Sequence, residues 1–254
     1  MTTVHLISFP KCGRTWLRLM IGKALIDHYG LKGANPVRLR EAGRLLFEVH
    51  HDGDPHLERP DGIGTDKSYY RADRVIFLVR DPRDVMVSLF FHRTRRDPRD
   101  PVPDTLPAFI DSNSGGLGSL IAFYNAWARG RRQPAGFLLV RYEDIHRDAI
   151  GELRRVLGFM GVRVAEETMQ QAVDFASFEN MRHYERANAL EAPELAPANV
   201  GDDESYKVRR GLVGGYVDYL DAETIERMNR RINAELDDYF DYYKEAGADG
   251  KAQG

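Results

Sequence analysis

Cysteine is almost absent: the 254 residues include one, Cys12. A lone thiol excludes an internal disulfide and any multi-cysteine metal site, and it suits a reducing compartment. Long apolar runs are missing as well. None approaches the roughly 18 to 20 residues that a membrane-spanning helix needs, and the first residues do not resemble a secretory leader, so a soluble, cytoplasmic protein without membrane insertion is expected. There is no excess of positive charge. With 36 Lys and Arg against 39 Asp and Glu the formal net charge is -3, and the pI is near 6.3. Nucleic-acid binders that work through their overall field show the opposite balance, so no nucleic-acid partner is expected and basic residues must act locally. No repeat, low-complexity run or linker divides the chain, which is long enough to bury one full core. One domain is expected over 1–245, with 246–254 as a frayed tail.

Against these absences stands "VHLISFPKCGRTW", Val4 to Trp16. Val4, Leu6 and Ile7 read as a buried strand, and Arg14 to His28 places Leu17, Met20, Ile21, Ala24 and Leu25 at helical spacing. A strand, a short loop and a helix N-terminus carrying Lys, Arg and Thr make an anion-binding arrangement, because unpaired N–H groups and the helix dipole both point at the loop. Further strands are expected at Leu45 to His51, Arg74 to Val79 and Gly136 to Tyr142. Helices are expected at Pro82 to Arg95, Leu117 to Arg131, Ala149 to Met160, Glu166 to Phe175 and Ala222 to Tyr243. Short apolar strands alternating with helices predict an α/β fold with a parallel sheet. Thr94 to Ser114 and Arg186 to Arg210 show no clear period and read as lids or binding loops.

The first loop differs from a nucleoside-triphosphate loop, which ends in G-K-[ST]; here the lysine comes earlier, in P-K-C-G-R-T-W. The N–H groups of Cys12 to Thr15 could still wrap a phosphate, with Lys11, Arg14 and the Thr15 hydroxyl as further donors. In "VRDPRDVMVS" Arg80 ends a strand, Pro82 starts a helix, and Ser88 stands two helical turns beyond Arg80, which makes a second phosphate clamp. In "VRRGLVGGY" Arg209 and Arg210 precede Gly211, which permits close approach of a ligand to the backbone. Each group could alone be surface charge on a turn; the three together, in an acidic chain, point to a ligand with separated anionic groups.

The ordered set "SFPKCGRTW", "RDPRDVMVS", "VRYEDI", "SFENMR" and "RRGLVGGY" resembles the soluble, cytosolic-type sulfotransferases that use 3'-phosphoadenosine 5'-phosphosulfate (PAPS), and among them a bacterial small-molecule enzyme. The resemblance runs from about Val4 to Tyr216. It implies the P-loop-like α/β sulfotransferase fold, a central parallel sheet flanked by helices, and transfer of a sulfuryl group to a hydroxyl or amine of a small molecule, with PAP as product. Carried over, Lys11, Arg14 and Thr15, with the backbone of Cys12 and Gly13, hold the 5'-phosphosulfate; Trp16 and Phe178 flank the adenine; Arg80, Ser88, Arg209, Arg210 and Gly211 bind the 3'-phosphate. This chain departs from the family at Cys12, where Ser is usual, at Arg14, where Thr is usual, and at "GGY", where Gly-Asp-Trp is usual. The dimer motif of the animal members finds no match, so the oligomeric state stays open.

Sulfuryl transfer needs a base on the attacking group and positive charge at the leaving phosphate, and in principle no metal. Lys11 suits the second role. The family's strand-end histidine maps to His51 or to His50, whose side chains strand alternation sends to opposite faces. His51, beside Asp52 at the C-terminal end of the strand, is favoured, because open α/β sheets bind ligands there and imidazole titrates near neutrality. His56 lies in the loop beyond. Asp144 of "RYEDI" reads as a helix cap or the partner of a buried arginine, and Phe90, Phe91, Phe123 and Tyr124 as core. Two alternatives stay open: a P-loop phosphotransferase, and a nucleotide-binding protein without turnover.

Overall fold

The four apolar runs are strands of one sheet in a computed structural model that describes residues 2–97, 101–192 and 195–242. The expected tail and Tyr243 lie outside the described residues. Strand β1 is Thr2–Ser8, β2 Glu41–Ala42, β3 Leu45–His50, β4 Arg74–Val79 and β5 Gly136–Arg141, in spatial order β2-β3-β1-β4-β5. Pairing is parallel throughout except between β2 and β3. Strands covered on both faces read as unbroken apolar runs, and Val75 to Val79 of β4 are indeed all buried. The antiparallel β2 departs from the expected all-parallel sheet. Its two residues are too short for a periodic signal, and a tight turn through Gly43, at φ 62°, folds it back on β3.

Among the helices, α1 spans Arg14–Tyr29, α2 Pro82–Phe91, α3 Leu106–Ile110, α4 Leu117–Gly130 and α5 Tyr142–Arg147. They are followed by α6 at Ala149–Met160, α7 at Glu166–Phe175, α8 at Phe178–Ala187 and α9 at Ala222–Glu235. Asp81 caps α2 by accepting the Arg83 N–H, with Pro82 in the first turn. Beyond Phe91 the winding loosens into a π-helical turn, His92–Arg96, so the helix expected to Arg95 continues in a different geometry. The last helix is shorter than expected. Asn125 of α4 binds the Glu235 carbonyl and the Asp237 N–H, and Asp237 caps a following 3-10 turn, Asp238–Phe240. Helices α3, α5 and α8 were not expected; α8 is largely polar and buries only Met181 and Glu185.

Two groups of helices accompany the sheet: α1 packs with α6 and α7, and α2 with α4 and α9. Phe77 of β4 stacks on Trp127 of α4 with ring centroids 5.3 Å apart and meets Phe123 and Tyr124 there. Burying each such side chain contributes about 1.5–3 kcal/mol. Tyr124 also does polar work, since its hydroxyl accepts the Arg80 N–H at 2.9 Å and donates to the Arg80 carbonyl at 3.0 Å. The chain leaves β1 toward β3 on one side and returns past it to β4 on the other. The C-terminal ends of β1, β3 and β4 therefore diverge at one edge, where such sheets open a crevice. No helix among the described residues is long and apolar enough to cross a membrane.

Candidate functional site

The loop after β1 is held in an uncommon shape. Lys11 has φ 71° and Gly13 φ 91°, and left-handed residues flanking Cys12 curl the chain into the kind of turn that gathers N–H groups around an anion. Only glycine fits at 13, because a Cβ there would stand 2.4 Å from the Tyr142 ring. No side chain caps α1, so its first N–H groups have no helical acceptor. In front of the loop opens a cavity of about 240 Å³. Its walls include Lys11, Gly13, Arg14, Thr15, Trp16 and His51, together with Arg80, Ser88, Phe178, Arg209, Arg210 and Gly211. Cys12 is not among them. Its side chain is fully buried, its Sγ lies 3.3 Å from the Tyr124 hydroxyl, and burial pushes the thiol up to about 12. Any part it plays in binding falls to its main chain.

Arg80 sits at the meeting point of three segments. Its guanidinium donates to the Leu212 carbonyl at 2.8 Å and to the Lys11 carbonyl at 3.3 Å, and lies 4.3 Å from the Tyr142 ring centre. Asp84, one helical turn on, pairs with it at 3.4 Å and also accepts the N–H groups of Gly214 and Tyr216. Burial pushes the Asp84 carboxyl up, while Arg80 and those two N–H groups act against the shift. Arg209 is paired with Glu204 at 2.9 Å and with the Tyr219 hydroxyl, and stacks on Phe91 and Tyr219. Arg210 pairs with Asp218 at 2.7 Å. All three clamp arginines thus already carry a carboxylate partner, but the Nε atoms of Arg80 and Arg209 are buried without a hydrogen-bond partner. Gly211, at φ 64°, lies against the Phe178 ring, where a Cβ would come within 2.6 Å.

Lys11 donates to the Lys207 carbonyl at 3.4 Å. Burial, then the charges of Lys207 and Arg96, lower its ammonium to about 7. The His51 Nδ1 lies 2.9 Å from the Ser8 carbonyl, which can only accept, and 2.8 Å from Arg14 Nη1, which can only donate; the tautomer with the proton on Nδ1 and the lone pair on Nε2 is the one that satisfies the carbonyl. His50 points elsewhere and does not line the cavity. The Asp52 N–H donates to its Nδ1, leaving Nε2–H to meet Nδ1 of His5 at 3.1 Å, and Nε2 of His5 meets Asp73 at 3.2 Å. The His56 ring lies 5.9 Å from that of His51. A further imidazole, His92, reaches the cavity from the π-turn with its Nδ1 buried and unpartnered, and burial lowers it to about 3.

Several contributors escaped the sequence reading. Asp84 had a signal, four residues after Arg80, in the first turn of α2. Lys207 and Glu185 had none: the Glu185 carboxylate accepts the N–H groups of Lys207 and Val208, from a helix not expected to exist. Asp144 neither caps a helix nor meets a buried arginine; it pairs with exposed Arg147, and the structural acid of "RYEDI" is Glu143, which binds the Asp81 N–H and the Tyr242 hydroxyl. Among the described residues six basic side chains, Lys11, Arg14, Arg80, Lys207, Arg209 and Arg210, line the cavity against one carboxylate, Asp84.

A family model described as "Sulfotransferase domain" matches residues 66–240. Rabbit amine sulfotransferase is 22% identical over 249 residues, covering 93% of this chain and 81% of that protein. Human sulfotransferase 2B1 is 25% identical over 250 residues, covering 92% of this chain and 66% of that one. Among solved structures, mouse sulfotransferase SULT7A1 complexed with PAP superposes with a TM-score of 0.64 at 22% identity, over 92% of this chain and 84% of that chain. Retinol dehydratase in complex with androsterone and PAP gives 0.64 at 18%, over 93% and 81%.

Proposed function

The chain belongs to the sulfotransferase-domain family, and from that premise we propose that it transfers a sulfuryl group from PAPS to a hydroxyl or amine of a small molecule, with PAP as product. The observation that carries the donor is the make-up of the cavity wall: six basic side chains against one carboxylate in a chain of net charge -3. Arg14 and Lys11 come from the loop after β1 and the start of α1, and Arg80, Arg209 and Arg210 from the β4–α2 junction and the segment after α8; in this reading the first group meets the 5' anions of the nucleotide and the second its 3'-phosphate. The buried, unpartnered Nε atoms of Arg80 and Arg209 fit such a ligand. The PAP complexes of mouse SULT7A1 and of retinol dehydratase support the same nucleotide here.

In this reading Lys11, Arg14, Thr15 and the N–H groups of Cys12 and Gly13 hold the phosphosulfate. Trp16 and Phe178 flank the adenine, and Arg80, Ser88, Arg209, Arg210 and Gly211 hold the 3'-phosphate. When bound, the donor supplies an electrophilic sulfur and a phosphate leaving group. Nε2 of His51 takes the proton of the attacking group, its tautomer set by the Nδ1–H bond to Ser8. The ammonium of Lys11 stabilises the charge that develops on the leaving oxygen, and an anion beside it restores the proton that burial makes labile in the free protein.

Binding separates this function from a simple phosphate site. PAP should raise the thermal midpoint and bind more tightly than 5'-AMP, and Arg80→Ala should weaken it by about 1.5–3 kcal/mol, the range for losing a charged hydrogen-bonding partner. Equal affinity for PAP and 5'-AMP would remove the second clamp. Failure to label any acceptor from radiolabelled PAPS, across phenols, alcohols and amines, would remove the transferase activity.

A further inference from the structure

An acceptor can give its proton to His51 only if Nε2 offers a free lone pair, and in this structure that lone pair is taken. Arg14 Nη2 lies 2.6 Å from it, while Nη1 donates to the His50 carbonyl at 2.5 Å and stands 2.8 Å from Nδ1. The guanidinium therefore covers the polar edge of the ring. It is an unfavourable place for a cation: Arg14 is the first residue of α1, where the helix dipole opposes positive charge. Among the described residues no carboxylate pairs with it, whereas Arg80, Arg209 and Arg210 each have one.

We infer that Arg14 is a positioning residue that caps the His51 base in the free protein and uncaps it when the anionic end of the donor draws the guanidinium away. The inference rests on the donor and base proposed above. Both present partners of Arg14, a carbonyl and an imidazole, are neutral. A charge-assisted N–H···O⁻ bond is roughly twice as strong as a neutral one, so the donor supplies the difference in free energy that the movement needs. One side chain then links the two half-sites: the base is exposed when a nucleotide with an anionic 5' end is bound and covered when it is not. Productive use of the acceptor follows donor binding.

The groups facing His51 are Arg14 from α1, His56 from the loop after β3, Lys207 from the segment after α8 and the Ser8 carbonyl of β1. Burial, then Arg14, lowers the imidazole to about 3. The test is an NMR titration of the histidine side chains in the full chain, with His51 assigned by His51→Gln, comparing wild type and Arg14→Gln with and without PAP. Arg14→Thr serves as a second variant, should the first fold poorly. The free wild type should keep His51 neutral through pH 5, and both variants should raise its midpoint by about one unit or more, as loss of an adjacent like charge does. PAP should raise the midpoint further in wild type than in the variants, where no cap is left to remove. Identical midpoints in free wild type and variants, or equal PAP-induced shifts, would overturn the inference. If PAP perturbed no resonance at all, the donor reading would fall by itself, and the free-state comparison would still decide whether Arg14 caps His51.

Discussion

Replacing Gly13 by Ala places a methyl group where the loop has no room for one. The Cβ would stand 2.4 Å from Cδ2 and 2.7 Å from Cε2 of Tyr142. Tyr142 has no easy retreat: it is 5% exposed, its ring centre is 4.6 Å from that of His146 and 5.7 Å from that of Trp16, and the Arg80 guanidinium lies 4.3 Å away. Holding alanine in the left-handed region costs about 1–2 kcal/mol, and forcing extra volume into a packed site adds about 1–3 kcal/mol. For a chain of this length each kcal/mol lowers the thermal midpoint by about 2–4 °C, so a fall of roughly 5–15 °C is expected. Urea and thermal unfolding of wild type, Gly13→Ala, Tyr142→Ala and the double variant isolate the steric share. In the Tyr142→Ala background Gly13→Ala should cost only its conformational part, about 1–2 kcal/mol. A Gly13→Ala protein within about 0.5 kcal/mol of wild type, the range of ordinary surface changes, would refute the loop geometry, as would an equal cost in both backgrounds.

What was legible in the sequence is what local chemistry decides. Helix α6 begins and ends where its pattern does, because Asp148 accepts the Gly151 N–H at one end and Gly161 adopts a left-handed cap at the other, both within a turn of the helix. Helix α9 stops short because its terminator is Asn125, more than a hundred residues away. The same division runs through the site. Arg80, at the end of β4, and Ser88, in α2, are linked by a spacing that the sequence reveals, but the loop that Asp84 fastens beside them, at Gly214 and Tyr216, lies 130 and 132 residues beyond Asp84. Lys11 is bent into the left-handed region, which no propensity of lysine announces. The contact between Arg14 and His51 spans 37 residues and exists only because β3 lies beside β1; a motif scan sees two separate basic residues. Motifs identified many of the side chains that meet the cavity, though not Asp84, His92 or Lys207, whereas their partners in the free protein depended on strand order.

Two further outcomes follow from the roles of His51 and Lys11. His51→Ala should reduce turnover about a hundredfold or more while keeping or raising PAP affinity, since the donor no longer has to draw Arg14 off the imidazole; His50→Ala, which removes a ring that meets His5 instead, should retain most turnover, and the reverse pattern in single-turnover assays would move the base to His50. Lys11 should leave a mark on stability against pH. Its ammonium is lowered from the usual 10.5 to about 7 in the fold, by burial first and then by Lys207 and Arg96. Below pH 7 folded and unfolded chains both hold that proton, so it contributes no slope. Between about pH 7 and 10.5 the unfolded chain holds a proton that the folded one has released, so stability must rise with pH through that window. An anionic nucleotide beside Nζ raises the folded value again and cancels the slope, so the stabilisation by PAP should shrink as pH rises from 7 to 9. Thermal midpoints measured across that range for wild type and Lys11→Met, each with and without PAP, give the comparison: the free wild type should gain on the variant with increasing pH, and parallel curves would mean that Lys11 keeps its proton in the fold and meets the donor as an ordinary, fully charged ammonium.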